Sequence, residues 1–339
     1  MRVDPEDLDD AQIYALTSAM ASTIITNKRV TSVGFSIFDS DNLELLTTTL
    51  SRSKYIKKIA LYIEDCTDRV LKLIVPMIKA KKSKLIQLKL KFSTNLTYDQ
   101  STYIGNMLNG SHAIRKVSLA NLFPDPILAR LCSRGSNIQK LKLKYCKFIP
   151  ATMEYIGTIM TNSNTNLKVL DFTGSVINTE QLEQLTEHVK TLCRRCLKQI
   201  CVYLNDIDLS KPTEATSVKT FLRSLDQHRT LQKIDVYGAY MDEETSRMIL
   251  NLVTNNKIGK FNFDIAEEAE NTKMAELEDK INQILQHNRC NIRRIERLEK
   301  QIDLAQKIIY QSDRGNFQVI PEELICHILS LFDVDNLLV

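Results

Sequence analysis

A short pattern, apolar-x-x-apolar-x-apolar, recurs nine times along the 339-residue chain, and this repetition constrains the fold more than any other feature. The copies begin at Val30, Ile56, Leu85, Ile114, Ile138, Leu167, Leu197, Leu231 and Ile258, at intervals of 26, 29, 29, 24, 29, 30, 34 and 27 residues. Each supplies three apolar positions, from Val30/Val33/Phe35 in the first copy, through Ile138/Leu141/Leu143 in the fifth, to Ile258/Phe261/Phe263 in the last. The period of two across the second and third positions is that of a strand burying one face. Between the copies, groups such as Leu43/Leu46/Leu50, Met153/Ile156/Met160 and Leu182/Leu185/Val189/Leu192 carry helical spacing. So short a strand cannot bury its face alone. Stacking strand-loop-helix-loop units on one another makes a continuous core between a parallel sheet and a layer of helices.

The pattern resembles the leucine-rich repeats of the ribonuclease-inhibitor type over about residues 30 to 290. That resemblance implies an α/β solenoid with a parallel sheet on the concave side, helices on the convex side and a helical C-terminal tail. The family commonly sets Asn or Cys three residues after the third apolar position, where the side chain satisfies loop backbone groups. Cys146 and Asn205 keep that place, whereas Glu64, Ser93, Ser175 and Ala239 replace it, so irregular loops are expected. Residues 1–29 are expected to form a capping helix with Leu8, Ile13, Leu16, Met20 and Ile24 on one side. Residues 30–290 form the solenoid of about nine repeats, closed by a helix carrying Met274, Leu277, Ile281, Ile284 and Leu285. An amphipathic helix over 291–315 and a tail over 316–339 follow.

Composition narrows the function classes. A formal charge of +4 is too small to name a partner, so only the placement of the 45 Lys and Arg carries meaning. The N-terminal ten residues are acidic and lack an apolar core segment, and no run approaches the length of a membrane span. No secretory signal or membrane span is therefore expected. Eight scattered cysteines read as reduced thiols of a cytoplasmic protein. Cys193, Cys196 and Cys201, with His188 upstream, superficially resemble a zinc cluster but lack the two paired knuckles of a structural site, so no metal is expected. His112, His188, His228, His287 and His327 fall in helices or loops without a nucleophile partner, and no Gly-rich phosphate loop is present. No catalytic residue, enzymatic activity or cofactor is expected.

Residues between and after the apolar positions of each strand face outward from the sheet. In repeats two to five these include Lys58, Tyr62, Lys89, Lys91, Lys116, Lys140, Lys142 and Lys144, seven lysines with no acid. Repeats six to nine are mixed and include Asp171, Tyr203, Asp235 and Tyr237. Such lysines keep an exposed sheet in solution, and they also suit an acidic protein partner that would relieve their mutual repulsion. Nucleic acid or phosphoinositide is a further alternative, disfavoured for nucleic acid by the absence of arginine from the strand face.

Past the repeats, Ile295, Leu298, Ile302, Ala305 and Ile309 follow a 3-4-3-4 spacing among Arg293, Arg294, Arg297, Glu299 and Lys300. This seam suits either an intermolecular coiled coil or packing against the solenoid end. The last segment runs from Ile320-Pro321 through Leu324, Ile328, Leu329 and Phe332 to an Asp-containing turn, and it resembles a truncated F-box. The resemblance implies docking of a Skp-type adaptor of cullin ubiquitin ligases by Ile320, Pro321, Leu324, Ile328, Leu329 and Phe332. Two readings follow: an adaptor bringing a target to a ligase, or a pathogen effector or scaffold in the host cytoplasm that binds an acidic protein without ubiquitin chemistry.

Overall fold

The computed structural model describes residues 18–19, 22–37, 43–81, 83–109, 111, 113–132, 137–161, 166–192, 196–240, 242–264 and 272–312. Strands and helices alternate: β1 (Ser32–Ile37), α1 (Leu43–Arg52), β2 (Lys58–Ile63), α2 (Asp68–Lys81), β3 (Gln87–Phe92), α3 (Tyr98–Met107), β4 (Lys116–Ala120), α4 (Asp125–Cys132) and β5 (Lys140–Lys144). They continue as α5 (Pro150–Thr161), β6 (Val169–Val176), α6 (Thr179–Thr191), β7 (Gln199–Tyr203), α7 (Pro212–Leu225), β8 (Lys233–Tyr240), α8 (Glu243–Asn255), β9 (Lys260–Asp264) and α9 (Thr272–Ser312). The strands form one nine-stranded sheet in the order of the sequence, with every neighbouring pair parallel. This is the α/β repeat architecture that the nine apolar triplets require.

Register explains why the triplets recur. Ile59, Leu88, Val117, Leu141, Leu170, Ile200, Ile234 and Phe261 are successive partners across the sheet, and all are buried. The first apolar position of each triplet from Ile56 to Ile258 is likewise buried, at the turn into the strand. Helix residues such as Ile74, Ile104, Met153, Leu185, Leu222 and Ile249 close the core from the other side. Full burial of a Leu or Ile is worth roughly 1.5–3 kcal/mol, so every unit is held mainly by the surface it shares with its neighbours.

Loop backbone groups are satisfied by a ladder of side chains. Ser93 donates its hydroxyl to the carbonyl of Glu64, and Asn121 donates its amide to that of Phe92. Ser175 donates to Leu143 O at 2.8 Å and accepts from the Cys146 amide at 2.8 Å. The family position is thus kept by chemistry more than by residue type. Residues five past the first residue of β4, β5, β6 and β8 turn the chain through the left-handed region: Asn121 (φ 62°), Tyr145 (φ 53°), Gly174 (φ 70°) and Gly238 (φ 79°). Register shifts between β6 and β7 and between β8 and β9 make these loops irregular, as expected.

At the start of the sheet, the Lys81 ammonium is buried and donates to Ser51 O at 2.8 Å and to Ser53 O, closing the end of α1. Burial, reinforced by Lys84, lowers its pKa. Of the expected capping helix, residues 18–19 and 22–26 are described, where 22–26 are helical and Ile24 joins the core. At the other end, Ile281 and Leu285 of α9 are buried in the core. The helices expected over 274–285 and 291–315 are one element as far as Ser312. A first compact unit ends at Leu285, and a second spans Gln286–Val339.

A Cβ at Gly238 would be strained at its φ and would collide with the Asn205 amide, whereas one at Gly34 would meet only ordinary contacts at 3.7 Å. Gly238→Ala is expected to cost about 1–3 kcal/mol and Gly34→Ala less than about 0.5 kcal/mol. Urea-denaturation midpoints of the two variants compare them directly.

Candidate functional site on the open sheet face

Strand alternation sends one set of side chains into the core and the other to the opposite face of the sheet, and the register arranges the second set in three rows. The first row contains Lys58, Gln87, Lys116, Lys140, Val169, Gln199, Lys233 and Lys260. The middle row contains Ala60, Lys89, Ser118, Lys142, Asp171, Cys201, Asp235 and Asn262. In the third, Tyr62, Lys91, Ala120 and Lys144 are successive partners, and Tyr203 pairs with Tyr237 further along. With strands about 4.8 Å apart, each row is a line of closely neighbouring groups. All twelve sheet residues picked out from the sequence therefore share one face.

Their environments divide them. Lys58, Lys89 and Lys140 are exposed and Lys116 is half-buried, and none of the four ammonium groups has a partner among the described residues. Lys91 is exposed with its ammonium 4.9 Å from the centre of the Tyr62 ring, a cation–π contact that holds both side chains across β2 and β3. Lys142 and Lys144 behave differently. Asp171 on the next strand accepts from Lys142 at 2.8 Å and lies 3.6 Å from Lys144, so repulsion between these two lysines is already offset within the sheet. The register puts this acid directly beside Lys142, a pairing that follows once Lys142 and Asp171 are placed in the same row.

The far half of the face is internally bonded. Asp171 is 2% exposed and also accepts from the Thr173 hydroxyl at 2.6 Å, and that oxygen lies 3.2 Å from the Cys201 thiol. Asp235, 3% exposed, pairs with Lys233 at 2.5 Å and accepts from the Asn262 amide at 2.6 Å. Tyr203 and Tyr237 stand with ring centres 5.8 Å apart, and Asn262 approaches the Tyr237 hydroxyl at 3.3 Å. Thr173, Lys233 and Asn262 thus complete the arrangement around the predicted Asp171, Asp235 and Tyr237. Burial by itself would raise the Asp171 pKa, but hydrogen bonds from Lys142 and Thr173 and the Lys142 charge outweigh it and hold the carboxyl below its ordinary 3.8.

Thiol chemistry is quiet here. Burial, aided by the Asp171 and Asp235 charges, pushes the Cys201 thiol up to about 11, and burial takes Cys66, Cys132 and Cys146 to about 12. These groups are protonated near neutrality and are poor nucleophiles. His188 packs its ring against Gly157 of α5, where burial lowers its pKa, while Cys201 faces Thr173 on the sheet. Cys193 lies outside the described residues. Among the described residues no cluster of three or more His, Cys, Asp or Glu side chains could hold a metal ion, and no helix is long and apolar enough to cross a membrane.

A second concavity that the sequence did not point to runs along the strand ends, with a volume of about 570 Å³. Asn95, Asn121, Tyr145, Phe148, Gly174 and Asp206 line it, and it exists because the left-handed residues turn the chain there. The F-box-like residues Ile320, Pro321, Leu324, Ile328, Leu329 and Phe332 lie outside the described residues. The chain matches no protein-family model, and the curated proteins contain no match to it either.

The Asp171 pairing gives a pH signature. A depressed folded pKa means that its contribution is complete above the ordinary value of 3.8 and is lost as pH falls through the lower folded value. Asp171→Asn is expected to cost roughly 1–2 kcal/mol near neutrality, a figure kept small because the Lys142 and Lys144 tips reach solvent. Denaturation measured at successive pH values should show the wild-type advantage shrinking only below the ordinary carboxylate range.

Proposed function

We propose that the chain is a non-enzymatic binding protein that holds an acidic protein surface against the open face of its sheet. One observation carries this reading: Lys58, Lys89, Lys116 and Lys140 share a face from β2 to β5 with no acid among the described residues to pair them. Lysines held on adjacent strands repel one another, and an anionic partner relieves that repulsion while its encounter is steered by the same field. The Asp171 and Asp235 clusters limit the anion-binding part to the first half of the sheet. Tyr203 and Tyr237 then offer a partner amphipathic contact area next to it.

The F-box-like tail extends the reading to an adaptor. Its support is the sequence Ile320-Pro321, with Leu324, Ile328, Leu329 and Phe332 at the spacing of a docking helix. On this reading the sheet captures a target and the tail engages a Skp-type subunit. A pull-down with the purified subunit, using the full chain and a chain lacking 316–339, should show binding only by the former; failure of the full chain to bind removes the ligase role and leaves the sheet's role standing.

For the sheet itself, fluorescein-labelled poly-L-glutamate serves as the probe. The triple variant Lys89→Glu, Lys116→Glu and Lys140→Glu should weaken binding at least about tenfold. An equal change of charge elsewhere, at the exposed Lys54, Lys72 and Lys257, should leave affinity within about twofold if the face and not the net charge is responsible. Equal losses in the two variants would contradict the assigned face, and tighter binding of oligo-dT than of poly-L-glutamate would favour nucleic acid.

A further inference from the structure

The seam of α9 carries a separate inference. Residues 286–297 are exposed apart from the half-buried Asn288 and Ile292, and Ile295 is 41% exposed, an unusual state for an aliphatic side chain in the middle of a helix. With the helix continuous to Ser312, the spacing of the seam can be followed over more than three heptads. Taking Ile295 as position a puts Asn288, Ile302 and Ile309 at the other a positions, and Asn291, Leu298, Ala305 and Ser312 at d. Positions b, c and f over the same stretch include Arg289, Cys290, Arg293, Glu296, Arg297 and Lys300, all exposed. The stretch is about 37 Å long at 1.5 Å per residue.

We infer that a second copy of this chain covers the seam, in a parallel, in-register two-stranded coiled coil over residues 288–312. Three features select that occupant. β-branched Ile at three successive a positions, with Leu298 at d, is the combination that favours two parallel strands. Asn288 at an a position is destabilising against any apolar partner, whereas in an in-register pair it meets its own counterpart and the two amides bond each other. Arg294 at g and Glu299 at the following e have opposite signs, so parallel pairing sets each beside the other copy's complementary charge. Asn291, whose amide lies 3.0 Å from His287 Nε2, has a local partner one turn earlier and needs none across the dimer. Dimerisation joins two lysine-bearing sheets, so that a partner with two acidic sites would be held with the gain of an intramolecular second contact.

Light scattering on the full chain tests this over a concentration series. The expected mass is twice the 38.8 kDa of one chain, and Ile295→Asp with Ile302→Asp should reduce it to 38.8 kDa. Circular dichroism separates loss of pairing from loss of fold, because Ile295 is exposed in the single chain and its replacement leaves the sheet intact. Orientation is read from Asn288→Cys in a Cys290→Ser background, where air oxidation should give a disulfide-linked dimer that the double Asp variant does not form. A mass of 38.8 kDa at every concentration, which is what folding back of the chain's own tail on the seam would give, overturns the inference, as does a dimer unaffected by the two Asp substitutions. A dimer that is dissociated by them but not cross-linked through position 288 overturns the parallel register.

Discussion

Everything in this molecule depends on parallel strands stacking without slippage. The side-chain period of a strand is two, so a slip of one residue between neighbours would send a buried triplet to the open face and the lysines into the core. Ile59, Leu88, Val117, Leu141, Leu170, Ile200, Ile234 and Phe261 therefore fix more than stability. By holding one register across the sheet, they align the opposite side chains in rows. The face that could bind a partner is a by-product of how the core is packed.

Those rows are not uniform, and their difference is electrostatic. From β2 to β5 the exposed lysines have only water or each other as neighbours, apart from Lys91 on Tyr62. At β6 the pattern changes because one buried carboxylate, Asp171, takes up both Lys142 and Lys144. Beyond it Asp235, Lys233 and Asn262 bond among themselves, which makes that half more rigid and less demanding of a counter-charge. The proposed partner is thus selected by charge on one side and by the Tyr203–Tyr237 pair on the other. If the chain also pairs through α9, each dimer carries two such faces.

The fold was legible because burial repeats. A triplet such as Leu85/Leu88/Leu90 looks ordinary alone, but its return at near-constant intervals leaves one way to hide all copies, and each of its members is buried here. The outward positions of the face were legible for the same reason, since they alternate with the triplets. What escaped the linear reading were relations across strands: the Lys142–Asp171 pair joins residues 29 apart in the chain, and Thr173 gains its role from a carboxylate and a thiol on neighbouring positions. The cavity at the strand ends was also hidden, because it arises from left-handed backbone at Asn121, Tyr145 and Gly174, and of these only glycine advertises that conformation by its type. The continuity of α9 was missed because its apolar periodicity passes through Asn288 and Asn291, which read as a break when they are not placed on a heptad.

The most direct test of the binding face is residue-resolved lysine protection. Brief acetylation of the full chain, with and without saturating poly-L-glutamate, followed by mass spectrometry of its peptides, reports each ammonium separately. The account predicts strong protection of Lys58, Lys89, Lys116 and Lys140, weaker protection of Lys142 and Lys144 because Asp171 already engages them, and none at Lys72 or Lys257. Equal protection of lysines on the helices and on the sheet, or protection confined to the helices, would contradict it.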